Sequence, residues 1–180
     1  MASSEFSPPE NCPLDLAPGE AALAKLGGQD SPIEHLPQRA YENLLVVTVG
    51  APKTVEAAVR EAGGDPSNVG IVPVSASPLH YDGPCWTADR VSPSDLTGIS
   101  MQFARGERYL ADGSGWVVVD GLGTMLMYAE EENLYRLLSH LTGRTRERKL
   151  RHVTGIVDSV VSETTLARFR DLHDRSVSLE

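Results

Sequence analysis

Cysteine is scarce in this 180-residue chain, and its sequence has no long apolar run. The two cysteines, Cys12 and Cys85, stand far apart, which excludes a disulfide scaffold and a zinc site built from cysteine pairs. No apolar stretch approaches the roughly 18 residues that a membrane helix needs. Residues 1–10 are polar and proline-rich and lack the apolar centre of a secretory signal. We therefore expect a cytoplasmic protein that makes no membrane contact.

Positive charge is also scarce. The chain carries 25 acidic and 16 basic residues, a formal net charge of −9, and its only lysines are Lys25, Lys53 and Lys149. Free nucleic acid is therefore a disfavoured partner for the molecule as a whole, because neutralising phosphates requires clustered bases. An acidic surface with almost no lysine suits a cytoplasm of very high salt, where charge repulsion is screened. The composition predicts a halophilic protein, with an ordinary acidic mesophilic protein as the alternative.

Two kinds of catalytic site lack their sequence signals. The histidines never recur at the spacing of metal ligands, and the chain has no G-x-S-x-G nucleophile motif. We accordingly predict no metal site and no catalytic residue. With 41% hydrophobic and 23% charged residues, the composition is that of one folded domain of ordinary size.

Short apolar runs alternate with helical stripes over most of the chain. The run NLLVVTVG at residues 43–50 is typical of a strand buried on both faces of a parallel sheet. An apolar helical stripe at residues 55–62 follows it, and the clearest such stripe spans residues 134–141. This alternation predicts an α/β three-layer sandwich with a mostly parallel sheet of five strands. The predicted strands cover residues 43–50, 68–75, 115–120, 152–158 and 175–179.

The first part of the chain differs in composition and holds six of the twelve prolines. We predict a mobile tail over residues 1–15, an N-terminal extension over residues 16–42 and an α/β domain over residues 43–180. Within the extension, the segment from Gly19 to Leu26 ends at a pair of glycines, a pattern that predicts a short helix.

A shortened phosphate-loop pattern follows the first predicted strand. The segment GAPKT, residues 50–54, stands where the motif G-x-x-x-x-G-K-[ST] would wrap phosphates, but only two residues separate Gly50 from Lys53. A proline replaces the second glycine and removes a backbone donor. Asp120 is the last residue of the apolar strand WVVVD. At this position an ATPase has an acid that helps to hold magnesium. Gly50, Lys53, Thr54 and Asp120 are therefore candidates for a vestigial nucleotide site, or are helix and turn residues without a ligand.

Several segments together resemble a known family. They are NLLVVTVG, GAPKT, GGDPSNVG, SPSDLTGI, WVVVDGLGTMLMY and LYRLLSHLTGR. Over residues 40–180 the chain resembles an uncharacterised haloarchaeal family that is similar to RecA/KaiC-type ATPases but has an eroded P-loop. The resemblance implies a RecA-like core and a regulatory role. The ATPase roles carry over only to Lys53, Thr54 and Asp120, and Gly121 replaces the Ser or Thr that often follows the acid in KaiC-like proteins.

One basic cluster joins a predicted helix to the next strand. Its members are Arg144, Arg146, Arg148, Lys149 and Arg151. The cluster lies at the predicted amino end of the sheet, opposite the edge where such sheets bind ligands. No aromatic side chain interleaves with it to stack on bases. It is a candidate partner-binding patch, with a solvated loop as the alternative.

Three functional hypotheses follow from these patterns. The first is a non-catalytic RecA/KaiC-like regulatory or scaffold protein that acts through protein–protein contacts and holds no cofactor. The second is an ATPase with an atypical, shortened phosphate loop, which would bind ATP and magnesium through Lys53 and Asp120. The third is a nucleic-acid-linked regulator that uses the basic cluster. Because a chain without a working loop has lost the nucleotide that joins RecA-like subunits, we expect a monomer or a homodimer.

Overall fold

Seven segments form one parallel sheet. The structure is a computed structural model, and it describes residues 12–28 and 31–179. Apolar runs such as LLVVT and WVVVD are buried on both faces, as parallel strands between two layers require. The strands are β1 (Ala21–Leu26), β2 (Leu44–Thr48), β3 (Val69–Pro73), β4 (Trp86–Thr87), β5 (Trp116–Asp120), β6 (Arg151–Val157) and β7 (Arg175–Ser178). Their order is β4-β3-β2-β5-β6-β1-β7, and every neighbouring pair is parallel.

Helices cover both faces of the sheet. The α-helices are α1 (Pro52–Glu61), α2 (Leu96–Glu107), α3 (Leu122–Met125), α4 (Glu131–Glu147) and α5 (Glu163–Arg170). Short 3-10 helices span Pro32–His35, Gln38–Glu42, Pro66–Asn68 and Asp158–Val160. On one face, Phe103 and Phe169 belong to a core formed with α2, α3, α4 and α5. On the other face, Ile33 and Val59 belong to a core formed with α1 and the first two 3-10 helices. The predicted α/β class with a helix-flanked parallel sheet is confirmed.

Two helices begin at residues whose side chains cap them. Asp95 Oδ1 accepts a hydrogen bond from the backbone N–H of Gly98 at 2.9 Å, and Ser162 Oγ accepts one from Thr165 at 3.1 Å. Such caps satisfy backbone donors that the first helical turn leaves without partners. None of the helices that the structure describes is long and apolar enough to cross a membrane.

The short helix predicted over residues 19–26 is wrong, because Ala21–Leu26 is strand β1. This strand lies between β6 and β7, and Ala24 is the register partner of both Gly155 and Val177. Alanine and leucine favour helices locally, but burial of the segment between two strands overrides that weak preference. The predicted extension therefore contributes a strand to the sheet.

The sheet has seven strands rather than the predicted five. The five predicted strands correspond to β2, β3, β5, β6 and β7. The two strands not predicted are β1 and β4, a pair of residues that runs beside β3, with Trp86 opposite Gly70. β4 lies in a segment rich in proline and glycine, and a strand of two residues is too short to show a periodic pattern.

The N-terminal tail is only partly described. The tail predicted over residues 1–15 lies outside the described residues as far as residue 11. After that point Leu14 and Leu16 are almost fully buried in the core that contains Val59. Asp15 forms an ion pair with Arg39, which lies in the second 3-10 helix. Leu14 and Leu16 therefore pack residues 12–16 against the core on this face of the sheet.

Candidate functional site

The carboxyl ends of two adjacent strands bring Thr48 of β2 beside Asp120 of β5. These two residues are register partners. From β2 the chain continues into α1 on one face of the sheet, whereas from β5 it continues into α3 and α4 on the other face. Open parallel sheets bind ligands where the direction of the connections reverses in this way. The carboxyl edge around Asp120 is therefore the candidate site.

Asp120 is hydrogen-bonded to a residue far from it in sequence. The Ser31 hydroxyl donates to Asp120 Oδ2 at 3.1 Å, and the same hydroxyl accepts a hydrogen bond from the N–H of Ile33 at 3.3 Å. Ser31 is thereby the cap of the first 3-10 helix. Burial raises the pKa of the Asp120 carboxyl, and the hydrogen bond from Ser31 opposes that rise.

Residues 31–42, which we call the covering segment, lie against β5 and β6. Its first 3-10 helix contacts both strands. Pro32 packs on Gly155 of β6 so closely that a Cβ at Gly155 would lie 2.8 Å from Cγ of Pro32. Tyr41 donates a hydrogen bond to the carbonyl of Ile33, and burial raises the pKa of Tyr41 to about 12. The chain itself thus fills one side of the crevice at this edge.

A small pocket remains beside Asp120. Its volume is about 230 Å³, and its apolar walls include Leu26 at the end of β1, Leu122 in α3 and Val157 at the end of β6. Among the described residues that line it, Asp120 carries the only charged side chain. This lining lacks the lysine with which a phosphate loop contacts its phosphates.

The predicted loop residues do not line this pocket. The N–H of Gly50 donates to Thr48 Oγ1 at 2.9 Å, which closes the turn after β2. Lys53 and Thr54 are exposed in the first turn of α1. The structure therefore separates these three candidates from the pocket and leaves Asp120 as the one predicted residue that lines it. Among the described residues, no group of three or more His, Cys, Asp or Glu side chains could hold a metal ion.

We expect Gly121→Ala to lower the free energy of unfolding by about 2 kcal/mol. Gly121 has a φ of +89°, and a Cβ there would lie 2.2 Å from Cγ2 of Val49. Gly113→Ala is the matched control, because Gly113 has a φ of +80° but nothing within 4 Å of a Cβ. We expect Gly113→Ala to lower the free energy of unfolding by about 1 kcal/mol, because it adds backbone strain alone. Equal losses in urea denaturation would contradict the tight contact with Val49.

A comparison of the chain with family models assigns it to a family. The model of DUF7504, described as a family of unknown function, matches residues 20–179. The chain belongs to the DUF7504 family. The match begins before β1 and ends after β7, so it covers the whole sheet of this DUF7504 protein. No curated protein matches the chain at a significant level.

A solved structure shares the fold of this DUF7504 protein. It is the subject of a structural study of a protein from Pyrococcus horikoshii OT3, with a TM-score of 0.60 and 14% sequence identity. The similarity covers 92% of this chain and 84% of the other chain. At this identity the similarity concerns the arrangement of strands and helices only.

The basic cluster of this DUF7504 protein is bonded largely to its own fold, beginning with two arginines of α4. Arg144 pairs with Glu107 of α2 through Nε at 3.0 Å, and the Glu107 side chain is only 4% exposed. Arg146 pairs with Asp174 at 3.1 Å, and both of these side chains are nearly half exposed. Arg144 therefore neutralises a buried acid, whereas Arg146 forms an ordinary surface pair.

The remaining bases surround the turn from α4 to β6. Arg148 pairs with Asp112 at 2.7 Å, and Arg151 donates to the carbonyls of Leu16 and Gly113 at 2.8 and 2.9 Å. Lys149 is exposed and has a φ of +56°, as the turn requires. The turn is thus held by arginine side chains. Partner binding by the cluster stays a prediction.

Ser31 is the main residue of this site that the sequence did not predict. The signal was present, because a serine followed directly by Pro32 is a typical start of a helical turn. The contact partner of Ser31, in contrast, lies 89 positions away in sequence. A contact at that separation leaves no local pattern in one sequence.

Proposed function

We propose that this protein is a non-catalytic RecA/KaiC-like domain that regulates or scaffolds through protein–protein contacts. The observation that carries the proposal is the hydrogen bond from Ser31 to Asp120. In P-loop ATPases, the acid at the end of such a strand and the hydroxyl of the phosphate loop hold a magnesium ion between them. Here a hydroxyl of the covering segment bonds directly to the acid.

The residues at this edge do not fit ATP and magnesium. Among the described residues, no basic side chain lines the pocket beside Asp120, and the exposed Lys53 lies outside it. Pro32 and Ile33 are buried and pack against the sheet. The covering segment therefore occupies one side of the crevice. The hypothesis of an ATPase with a shortened loop therefore has less support than the non-catalytic one.

Exposed apolar side chains at the same edge support a protein partner. Met127 is 80% exposed and Val160 is 66% exposed, and both line the pocket beside Asp120. Tyr128, the neighbour of Met127, is 51% exposed. Apolar groups that cluster at a functional edge are typical of surfaces that bind another protein.

Calorimetry with ATP and ADP in the presence of magnesium tests the proposal. The acidic, lysine-poor composition supports a halophilic protein, so the titration is made in molar KCl. We expect no binding heat up to millimolar nucleotide, because the site lacks phosphate ligands. Lys53→Ala and Asp120→Asn are measured in parallel. Micromolar binding that either variant abolishes would contradict the non-catalytic function and favour the ATPase hypothesis.

A further inference from the structure

The pocket beside Asp120 combines apolar walls with one acid. Its apolar lining residues are Leu26, Leu122, Val157 and the exposed Met127 and Val160, and Thr124 and three glycines line the rest. Its volume of about 230 Å³ is below the range of about 300–1,000 Å³ that accommodates drug-sized ligands. A pocket of this size and lining suits one long, mostly apolar side chain with a polar end.

The carboxylate of Asp120 has no cationic partner in the part of the chain that the structure describes. Its side-chain hydrogen bond comes from the neutral Ser31 hydroxyl. An ionised carboxylate has about four acceptor positions, so further donors can reach this group. Burial raises the pKa of Asp120, because removal from water disfavours the charged form of the carboxyl. A cation that entered the pocket would therefore be stabilised by this acid.

We propose that the pocket binds the side chain of an arginine from a partner protein, with the guanidinium on Asp120. This inference rests on the proposed function, because it names the group by which the partner docks. A guanidinium donates two parallel hydrogen bonds to a carboxylate, and its methylene stem packs on apolar walls such as Leu122 and Val157. Lysine offers a more strongly hydrated point charge, which is costlier to bury in an apolar pocket.

Charge complementarity favours a basic partner over a second copy of this chain. Asp120 and Glu130 at this edge are both acids, so a second copy that met it edge to edge would bring like charges to contact distance, where salt screens them least. Glu130, which follows the exposed Met127 and Tyr128, is itself exposed. The partner surface that fits this edge therefore presents one arginine among apolar residues and further positive charge towards Glu130.

Methyl NMR of the methionines tests the proposal with defined probes. The probes are n-butylguanidinium, its neutral isostere n-butylurea, and Nα-acetyl-arginine N-methylamide, which carries the side chain on a peptide-like backbone. We expect the two guanidinium probes to shift the methyl signal of Met127, which lines the pocket. Met101 is an internal control, because it is 63% exposed on α2 and does not line the pocket. The buried Met125 reports that the fold is unchanged.

The Asp120→Asn variant removes the charge and keeps an acceptor for Ser31. We expect it to weaken guanidinium binding about tenfold or more, whereas Asp112→Asn, which alters an exposed surface pair, leaves binding unchanged. Equal shifts of Met127 and Met101, or equal binding of n-butylurea, would overturn the proposal. Binding of n-butylguanidinium without binding of the arginine amide would also overturn the proposal, in favour of a site for a small free cation.

The two proposals fail in different ways. Micromolar ATP binding would overturn the non-catalytic function, whatever the guanidinium probes do. If the guanidinium probes leave the Met127 signal unchanged and ATP does not bind either, only the proposal of an arginine-binding pocket is wrong. In that case the search for the partner surface moves to the basic cluster around Arg146 and Lys149, which are exposed.

Discussion

The Arg144→Met variant is expected to lose about 3 kcal/mol of unfolding free energy. Arg144 neutralises Glu107, whose side chain is only 4% exposed between α2 and α4. Arg144 donates its hydrogen bonds to Oε1 of Glu107, and the buried Oε2 has no hydrogen-bond partner among the described residues. Removal of the arginine leaves a buried carboxylate without a counter-charge. The loss is at the low end for buried pairs, because Arg144 is itself 42% exposed and water can enter in its place.

Two variants separate this effect from a general loss of positive charge. Arg146→Met removes a half-exposed pair with Asp174, and we expect a loss of at most about 1 kcal/mol. In the double variant Arg144→Met/Glu107→Leu, the buried charge is gone as well, so most of the stability should return. Urea denaturation measures all three. Equal and small losses in both single variants would show that Glu107 is solvated and would favour a partner-binding role for the cluster.

Stability is expected to fall steeply when the pH drops from about 6.5 to about 4. The reason is that the fully buried His152 and the partly buried His173 share one hydroxyl: Nε2 of His152 and Nε2 of His173 both lie 2.8 Å from Thr154 Oγ1. Nδ1 of His173 lies 2.7 Å from the carbonyl of Phe169, which only accepts, so Nδ1 carries the proton. The Thr154 hydroxyl therefore donates to His173 and accepts from His152. A second proton on His152 would lie on Nδ1, which is buried and has no hydrogen-bond partner among the described residues.

Burial lowers the pKa of both histidines, and Arg146 lowers each further. The pKa of His173 falls from 6.5 to about 4, and that of His152 also lies well below its usual value. The unfolded chain binds protons on these rings below pH 6.5, whereas the folded chain does not. Stability is therefore fully present above 6.5 and is lost as the pH falls towards 4, by about 3 kcal/mol for His173 alone.

The pH dependence is measured as a difference between proteins, which cancels the carboxylates that also titrate. The unfolding free energy of the wild type minus that of His173→Gln should rise from pH 4 to pH 6.5 and stay constant above. His80→Gln is the control, because the His80 side chain is 88% exposed. A flat difference for His173→Gln would mean that this ring titrates equally in the folded and unfolded chain.

The fold class was predictable because the central strands have a recognisable pattern of residues in the sequence. The runs around Val46 and Val118 are rich in β-branched residues and buried on both faces, a pattern typical of strands in a covered parallel sheet. The strand Ala21–Leu26 was not predictable, because its alanines and leucines are equally common in helices. Its small side chains become informative only when Ala22 and Ala24 are seen in the same buried core as Ile33 and Val59.

The candidate site was predictable only in its acid. Asp120 was identified because it ends an apolar strand, a local pattern. Lys53 and Thr54 were candidates because their order matched part of a motif. In the structure both are exposed in the first turn of α1 and do not line the pocket beside Asp120. The hydroxyl that meets Asp120 comes from Ser31, on the connection from β1 to β2. That connection crosses β5 and β6, and a single sequence does not contain the strand order that brings it there.

Hydrogen–deuterium exchange of the covering segment, with and without millimolar ATP and magnesium, tests the central claim most directly. The claim is that residues 31–42 occupy the crevice at all times, held by the bonds of Ser31 to Asp120 and of Tyr41 to Ile33. We expect slow exchange in this segment and the same rates when nucleotide is added. Fast exchange of the segment without nucleotide, or slower exchange at residues 31–36 and 120–124 when ATP is added, would contradict it.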